Sequence, residues 1–273
     1  QALFALNYYL LMGAEFDLLL NLDGFNELAL TVGENFLSHT ALEYPQGWNV
    51  RTRELVDPRD ADVSLRLFEI RGLRQRAARI ALQSPLRIFP SYQLWWHLRE
   101  ERWHAELLAI QTELLTRRRD RPGAFIHTGP HPPAKTEEEA MTEAVRIWKQ
   151  SSLHLHRLCQ AHGIAYFHGT QPNQYDTGSK PLTDEERENA YWDQSPYGHI
   201  VGTGYPLLRS AGTELRDAGV RQFDLTHLFE NVEETLYIDP YCHVNLRGSE
   251  LIAESLARHV QESLAMHPLP DNR

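Results

Sequence analysis

Two Asp/His pairs in the carboxyl-terminal part of the chain have the residue types and spacing of an acid–base site. Asp239 precedes His243 by four positions, and Asp224 precedes His227 by three. A carboxylate that holds one imidazole nitrogen fixes the ring's tautomer and leaves the other nitrogen free to accept a proton. Either pair could therefore act as a general base with its orienting acid.

A side-chain amide with a different chemical use lies near the other end of the chain. Residues 24–27 read Gly-Phe-Asn-Glu, and Asn26 carries a neutral hydrogen-bond donor. A donor held beside a carbonyl stabilises the negative charge that forms on its oxygen during nucleophilic attack. The alternative role for Asn26 is that of a turn residue, because Asn and Gly are common in turns. For Glu27 we expect a structural role at a helix start rather than acid catalysis.

The elements that must position these residues alternate between strands and helices. Three apolar runs predict strands, at 16–22, 164–168 and 220–223, and a further short extended piece is expected at 236–238. The first run is apolar enough to predict a strand buried on both faces. Helical patterns lie between the runs, at 2–13, 136–162, 206–218 and 246–264. This order predicts an α/β fold with a parallel sheet and helices on both faces.

The residues that follow each strand are expected to meet at one edge of the sheet. Ligands of open parallel sheets bind beyond the carboxyl ends of the strands. The Asn26 block follows the first predicted strand, a polar loop at 169–181 follows the second, and Asp224 and Asp239 follow the later ones. We therefore expect the amide and both Asp/His pairs to lie close together.

The region from 60 to 120 interrupts the α/β alternation. It has helical patterns at 61–82 and 92–119, broken around 84–90. We predict a helical hairpin inserted into the domain, acting as a lid or packing arm. Trp95, Trp96 and Trp103 are expected at packing or lid positions rather than on a sugar-stacking platform.

The two chemistry-bearing blocks resemble those of the SGNH (GDSL-type) hydrolases, which cleave esters with a Ser-His-Asp triad. Residues 24–27 resemble that family's G-x-N-[D/E] block. Asp239 and His243, followed by Asn245, Gly248 and a carboxyl-terminal helix, resemble its last block. The resemblance covers both ends of the chain and the α/β frame between them, and leaves the helical hairpin outside.

The resemblance implies a fold and a role for each matched residue. It implies a three-layer α/β/α, flavodoxin-like domain over 1–273, with Asn26 as an oxyanion donor, His243 as the base and Asp239 as the acid. The family spaces acid and base as D-x-x-H, one residue less than Asp239–His243. Asp224, which has that spacing to His227, therefore stays the alternative acid.

The resemblance also implies a nucleophilic serine in an amino-terminal block. Residues 1–25 contain no serine, and the sequence begins at Gln1. We expect the first strand, the nucleophile and a second oxyanion block upstream of Gln1, so that the domain is amino-terminally incomplete and these 273 residues alone are inactive or nearly so. The implied reaction is hydrolysis of a carboxylic ester, with an acyl or acetyl group on a small molecule, lipid or carbohydrate.

Composition narrows the classes of partner and cofactor. A net charge of −10 argues against nucleic acid as the principal partner. No apolar stretch is long enough for a membrane span. Cys159 and Cys242 are too few for a disulfide framework or a structural zinc site. We expect no metal and no organic cofactor, and we expect Cys242 to be a buried residue rather than a thiol nucleophile.

Two alternative function classes stay open at this point. One is a non-catalytic member of the same fold that binds an ester or carbohydrate, or serves as a scaffold. The other is a phosphate- or nucleotide-binding α/β domain, for which the sequence shows no Gly-rich strand-to-helix turn.

Overall fold

The computed structural model describes residues 1–37, 39–43, 60–119, 129 and 133–266. They belong to two compact units. The first, here called the α/β unit, comprises Gln1–Phe36, Ala41–Pro45 and Pro132–Arg273. The second, here called the helical unit, comprises Leu37–Thr40 and Gln46–His131.

The described residues of the α/β unit form a small sheet and the helices around it. The strands are β1 (Leu18–Asp23), β2 (Ala165–Thr170) and β3 (Arg221–Asp224). The helices are α1 (Ala2–Leu11), α2 (Phe25–Ala29), α5 (Glu137–Ala161), α6 (Asp184–Asn189), α7 (Pro196–Asp217) and α8 (Leu246–Met266). A π-helical turn, Thr31–Phe36, follows α2.

The three strands are parallel and lie in the order β1-β2-β3. Their register aligns the carboxyl ends, since Thr170 lies opposite both Asp23 and Asp224. The predicted mixed α/β class with a parallel sheet is confirmed. The register also places whatever follows each strand at one edge.

Helices cover both faces of the sheet. On one face, the Ser152 hydroxyl of α5 lies 2.7 Å from Nδ1 of His168 in β2. On the other face, a Cβ added to Gly169 would lie 3.2 Å from Leu256 of α8. Successive residues of a strand point to opposite faces, so α5 and α8 lie on opposite sides. This arrangement is compatible with a three-layer α/β/α fold.

The expectation that the first strand is buried on both faces is wrong. Leu18 and Leu20 of β1 are 37% and 39% exposed, whereas every residue of β2 is buried. β1 pairs with β2 on one side only, and no described strand pairs with its other side. An apolar run therefore predicted the strand correctly but not its position at the edge of the described sheet.

Two other predicted elements are corrected. The extended piece at 236–238 is not a strand of the sheet, because Tyr237 makes only an isolated antiparallel bridge with Val244. The helix expected from Pro206 begins instead at Pro196, where the Ser195 hydroxyl accepts a hydrogen bond from the Tyr197 N–H at 3.2 Å. Pro206 lies inside this helix, where its ring removes one backbone donor.

The helical unit contains the two helices expected between 60 and 120. They are α3 (Ala61–Gln83) and α4 (Pro90–Arg119), joined by a 3-10 turn, Pro85–Ile88. Among the described residues of this unit, four buried apolar ones form a core: Val63, Ile70, Leu107 and Ile110. Arg117 donates two hydrogen bonds to Asp62, at 2.9 and 3.1 Å, and so joins the two helices. None of the helices in the described part of the chain is long and apolar enough to cross a membrane.

Candidate functional site

Polar residues gather where the three strands end. Asp23, Thr170 and Asp224 lie side by side in the register. From these positions the chain continues into α2, into the loop before α6, and into the segment before α8. The strand-exit edge, as we call this region, therefore collects three parts of the chain that are distant in sequence.

The structure brings Asp239 and His243 together. Asp239 Oδ2 lies 2.6 Å from His243 Nδ1, and Asp239 Oδ1 accepts a hydrogen bond from the Tyr241 N–H at 2.8 Å. The side chain of His243 is 68% exposed. Its Nε2 makes no hydrogen bond to any described residue. The carboxylate is thus held at both oxygens, and the imidazole presents its second nitrogen to an incoming group.

A local turn accommodates the extra residue between this acid and base. Cys242 has a φ of 62°, in the left-handed region that non-glycine residues seldom adopt. The Ile238 N–H donates to the His243 carbonyl at 3.0 Å and closes the loop. The Cys242 sulfur accepts a hydrogen bond from the Gln171 amide at 3.0 Å. The Cys242 side chain therefore contacts Gln171, whereas the imidazole of His243 contacts Asp239.

The alternative acid, Asp224, is engaged elsewhere. Its Oδ1 accepts hydrogen bonds from the backbone N–H and the hydroxyl of Thr226, at 3.0 and 2.7 Å. His227 Nδ1 lies 3.2 Å from the Gly178 carbonyl, and His227 Nε2 lies 3.7 Å from Asp176 Oδ2. The D-x-x-H spacing therefore produces no hydrogen bond between Asp224 and His227.

Asn26 lies in the first turn of α2, directly beyond β1. Its side chain is exposed. Gly24, which precedes α2, has a φ of 136°, and a Cβ there would lie 3.2 Å from Thr170 and 3.6 Å from the Tyr205 hydroxyl. Glu27 accepts a hydrogen bond from the Gly24 N–H at 2.8 Å. A glycine is thus required at the strand-to-helix turn, and Glu27 has a structural contact at the helix start.

Aromatic contacts connect α2 with the loop that carries Asp239 and His243. The ring of Phe25 packs edge-on against Tyr197, with centroids 5.6 Å apart, and Tyr197 packs in the same way against Tyr241 at 5.9 Å. Asn26 follows Phe25 in the sequence, and His243 comes two residues after Tyr241. No hydrogen bond joins the Asn26 and His243 side chains in the described structure.

Burial changes the titration of two groups at this edge. Burial, together with the charge of the neighbouring Asp23, raises the pKa of Glu27 from 4.5 to about 7. It also raises the pKa of Cys242 to about 12, with a contribution from Asp239. Cys242 is consequently a neutral thiol at ordinary pH, which argues against a thiolate nucleophile.

Four buried polar atoms near the edge make no hydrogen bond with any described residue. They are Asn173 Nδ2, Gln174 Oε1 and the hydroxyls of Tyr205 and Tyr237. Tyr205 approaches Asn173 without hydrogen-bond geometry, and burial holds the pKa of both tyrosines well above the usual range. The Gln174 amide donates to the Asp239 carbonyl at 2.9 Å. Asn173 and Gln174 belong to the polar loop at 169–181 that the sequence predicted at this edge, whereas Tyr205 and Tyr237 were not singled out, since only folding brings them there.

A Ser-His-Asp arrangement lies inside the α/β unit and was missed from the sequence. Asp23 Oδ1 is 2.8 Å from His168 Nε2, and His168 Nδ1 is 2.7 Å from the Ser152 hydroxyl. The Trp148 ring nitrogen also donates to Asp23 Oδ1, at 2.7 Å. His168 is 0% and Ser152 is 1% exposed. The distances resemble those of a catalytic triad, but a substrate cannot reach Ser152, so we assign the arrangement to the core.

No group of three or more His, Cys, Asp or Glu residues in the described part of the chain is placed to hold a metal ion.

Comparisons with known proteins add no relative to this picture. No family model, curated protein or solved structure matches this chain. The resemblance to the SGNH hydrolases consequently rests on the two sequence blocks.

Proposed function

We propose that this protein is a carboxylic-ester hydrolase of the SGNH type, with a flavodoxin-like α/β/α domain. The observation that carries the proposal is the Asp239–His243 hydrogen bond on a loop at the strand-exit edge. Asn26 lies on the helix that leaves β1 at that same edge. The order of the two blocks along the chain agrees with the family resemblance.

In the proposed mechanism His243 is the general base. Its Nε2 takes the proton of a serine hydroxyl as that oxygen attacks the ester carbonyl. Asp239 holds the other ring nitrogen and stabilises the imidazolium that forms. The Asn26 amide donates to the oxyanion of the tetrahedral intermediate. His243 then protonates the departing alcohol, and in the second half-reaction it activates the water that hydrolyses the acyl-serine.

The nucleophile is the part of the proposal that the family resemblance alone supplies. That resemblance places the serine in an amino-terminal block, and residues 1–25 contain no serine. For these 273 residues we expect no stoichiometric labelling by a fluorophosphonate probe. Rapid labelling that His243→Ala abolishes would show instead that a serine of this chain is the nucleophile.

The test of the function uses the protein with any sequence that precedes Gln1 in its gene. We expect a strand ending in G-x-S, fluorophosphonate labelling of that serine, and hydrolysis of p-nitrophenyl acetate. Asn26→Ala should lower turnover by roughly 10²–10³, and Asp239→Asn by roughly 10⁴. The matched control Asp224→Asn should retain activity, and the opposite result would make Asp224 the acid. A preceding sequence without such a serine would defeat the proposal.

A non-catalytic role for the same edge is the second candidate. It is favoured by one observation, namely that His243 Nε2 makes no hydrogen bond to a described hydroxyl group. In that case the protein would bind an ester or an acetylated carbohydrate without cleaving it. Calorimetric titration with acetylated sugars, and with the matching free sugars as a control, would then detect binding that His243→Ala weakens while the ligand stays intact.

A further inference from the structure

The turn end of the helical unit carries an excess of positive charge. Between Glu69 and Glu100 the sequence contains no Asp or Glu, although the whole chain has a net charge of −10. The same stretch holds six arginines: Arg71, Arg74, Arg76, Arg79, Arg87 and Arg99. Arg74 donates to Glu100. The other five make no ion pair with a described carboxylate, so this end is strongly basic on an acidic protein.

Large apolar side chains are exposed at the same end. We call them the apolar tip: Ile80, Leu82, Leu86, Ile88, Phe89, Leu94 and Trp95. Leu82 is 69% and Ile88 is 73% exposed. The core of the helical unit lies elsewhere, in the first half of α3 and the second half of α4. Soluble proteins seldom expose so many large apolar side chains together unless the surface binds something.

Three of the arginines lie a short distance along the helices from the turn that carries the apolar tip. At 1.5 Å per residue, Arg76 and Arg79 lie about 10 and 6 Å before the end of α3, and Arg99 lies about 13 Å into α4. The Arg99 guanidinium lies over the rings of Trp95 and Trp103, at 5.1 and 4.3 Å from their centroids. We call Arg76, Arg79, Arg87 and Arg99 the arginine collar. Interfacial segments bury their apolar side chains about 5–10 Å into a bilayer and keep basic groups at the phosphates.

We propose that the turn end of the helical unit binds the surface of an anionic phospholipid membrane. The apolar tip enters the boundary between headgroups and acyl chains, and the arginine collar contacts lipid phosphates. Nucleic acid fits this surface less well, because exposed Leu and Ile side chains cannot stack on bases as aromatic rings do. The proposal is independent of the function assigned to the strand-exit edge.

The test measures binding of the whole chain to vesicles. We use phosphatidylcholine vesicles with and without phosphatidylglycerol, and determine partition coefficients by co-sedimentation at low salt. Anionic vesicles should bind at least about tenfold more tightly, since each basic residue near an anionic surface contributes roughly a fivefold increase. The triple variant Arg79→Gln, Arg87→Gln, Arg99→Gln should lose that preference. Ile88→Ser with Phe89→Ser should weaken binding to anionic vesicles at least about tenfold.

Matched controls come from the α/β unit. Arg258→Gln removes an exposed arginine and Met266→Ser an exposed apolar side chain, and neither should change binding. As a second measurement, brominated lipids should quench the fluorescence of the protein, and Trp95→Phe should remove most of that quenching. The proposal would be overturned if the protein did not bind anionic vesicles or bound both vesicle types equally. It would also be overturned if neither the triple arginine variant nor the Ile88→Ser, Phe89→Ser variant changed binding. Tighter binding to a single-stranded oligonucleotide than to anionic vesicles would also overturn it.

Discussion

At the scale of single residues, Glu27 makes the stability of the folded protein depend on pH. Its carboxyl group is partly buried beside Asp23 and accepts a hydrogen bond from the Gly24 N–H. Burial and Asp23 raise its pKa from the ordinary 4.5 to about 7. The folded protein therefore binds this proton more tightly than the unfolded chain does. The stability that results is present below pH 4.5 and is lost as the pH rises through 7.

We predict that Glu27→Gln flattens this pH dependence. In the wild type, the shift of Glu27 should lower the free energy of unfolding by up to about 3 kcal/mol between acidic and slightly alkaline pH. Gln keeps an acceptor for the Gly24 N–H but does not ionise. Urea unfolding at several pH values tests this, with the exposed Glu254→Gln as the control. Parallel curves for the wild type and Glu27→Gln would contradict the prediction.

Ser152 is the residue for which a catalytic and a structural role are most easily confused. Its hydroxyl lies 2.7 Å from His168 Nδ1 and 3.1 Å from the Tyr166 hydroxyl, all inside the core. We predict that Ser152→Ala costs about 1–3 kcal/mol of unfolding free energy, because it leaves those two groups unsatisfied. The exposed Ser210→Ala is the control. Fluorophosphonate labelling of Ser152 in the wild type would show that the core assignment is wrong.

At the scale of elements, α6 holds the segment that leads to Asp239. Glu186 is fully buried and accepts hydrogen bonds from Lys180 at 2.8 Å and from the Thr183 N–H at 2.9 Å. It also accepts from the Leu236 and Tyr237 N–H groups, at 2.8 and 2.9 Å. Burial alone would raise the pKa of Glu186, but these hydrogen bonds together outweigh burial and bring the pKa below its ordinary value. One carboxylate thus fixes three stretches of chain beside the proposed dyad.

We predict that Glu186→Ala lowers the free energy of unfolding by about 3–5 kcal/mol, because it leaves the Lys180 ammonium buried and unpaired. Lys180→Met combined with Glu186→Gln removes both charges and keeps an acceptor oxygen, so it should recover part of the loss. Denaturant unfolding measures both variants, with the exposed Glu188→Gln as the control. A double variant as unstable as Glu186→Ala would show that the unpaired charge is not the cause.

At the scale of the whole molecule, the two units differ in how much apolar surface they bury. The described residues of the helical unit include four buried apolar core residues, spread over two long helices. The α/β unit has a much larger core, which includes fully buried Tyr205, Phe167 and Leu208. Regions with few buried apolar contacts open at lower free energy.

We accordingly predict that the helical unit exchanges its amide hydrogens first. Peptides from α3 and α4 should exchange at least about tenfold faster than peptides from β2 and α7, since a difference of about 1.4 kcal/mol in opening free energy gives that ratio. Hydrogen exchange followed by mass spectrometry measures this difference. Equal protection of both units would mean that they open in a single cooperative step.

Much of the framework could be predicted because its signals are local. The Thr136 hydroxyl accepts from the Glu139 N–H at 3.2 Å, and Thr183 forms a capping box with Glu186. Gly13 and Gly163 have positive φ values just past their helices, as helix-ending glycines do. Caps, glycines and apolar periodicity act within a few residues, so they can be read from the sequence.

The sequence by itself determined the alternation of strands and helices, and with it the edge at which Asn26 and Asp224 emerge. Only the tertiary structure decided which acid holds which histidine, because such contacts depend on how distant segments turn and pack. It paired His243 with Asp239 and placed His227 beside Asp176. Spacing along the chain does not measure distance in space, and it could not show the buried network or the exposed edge of β1.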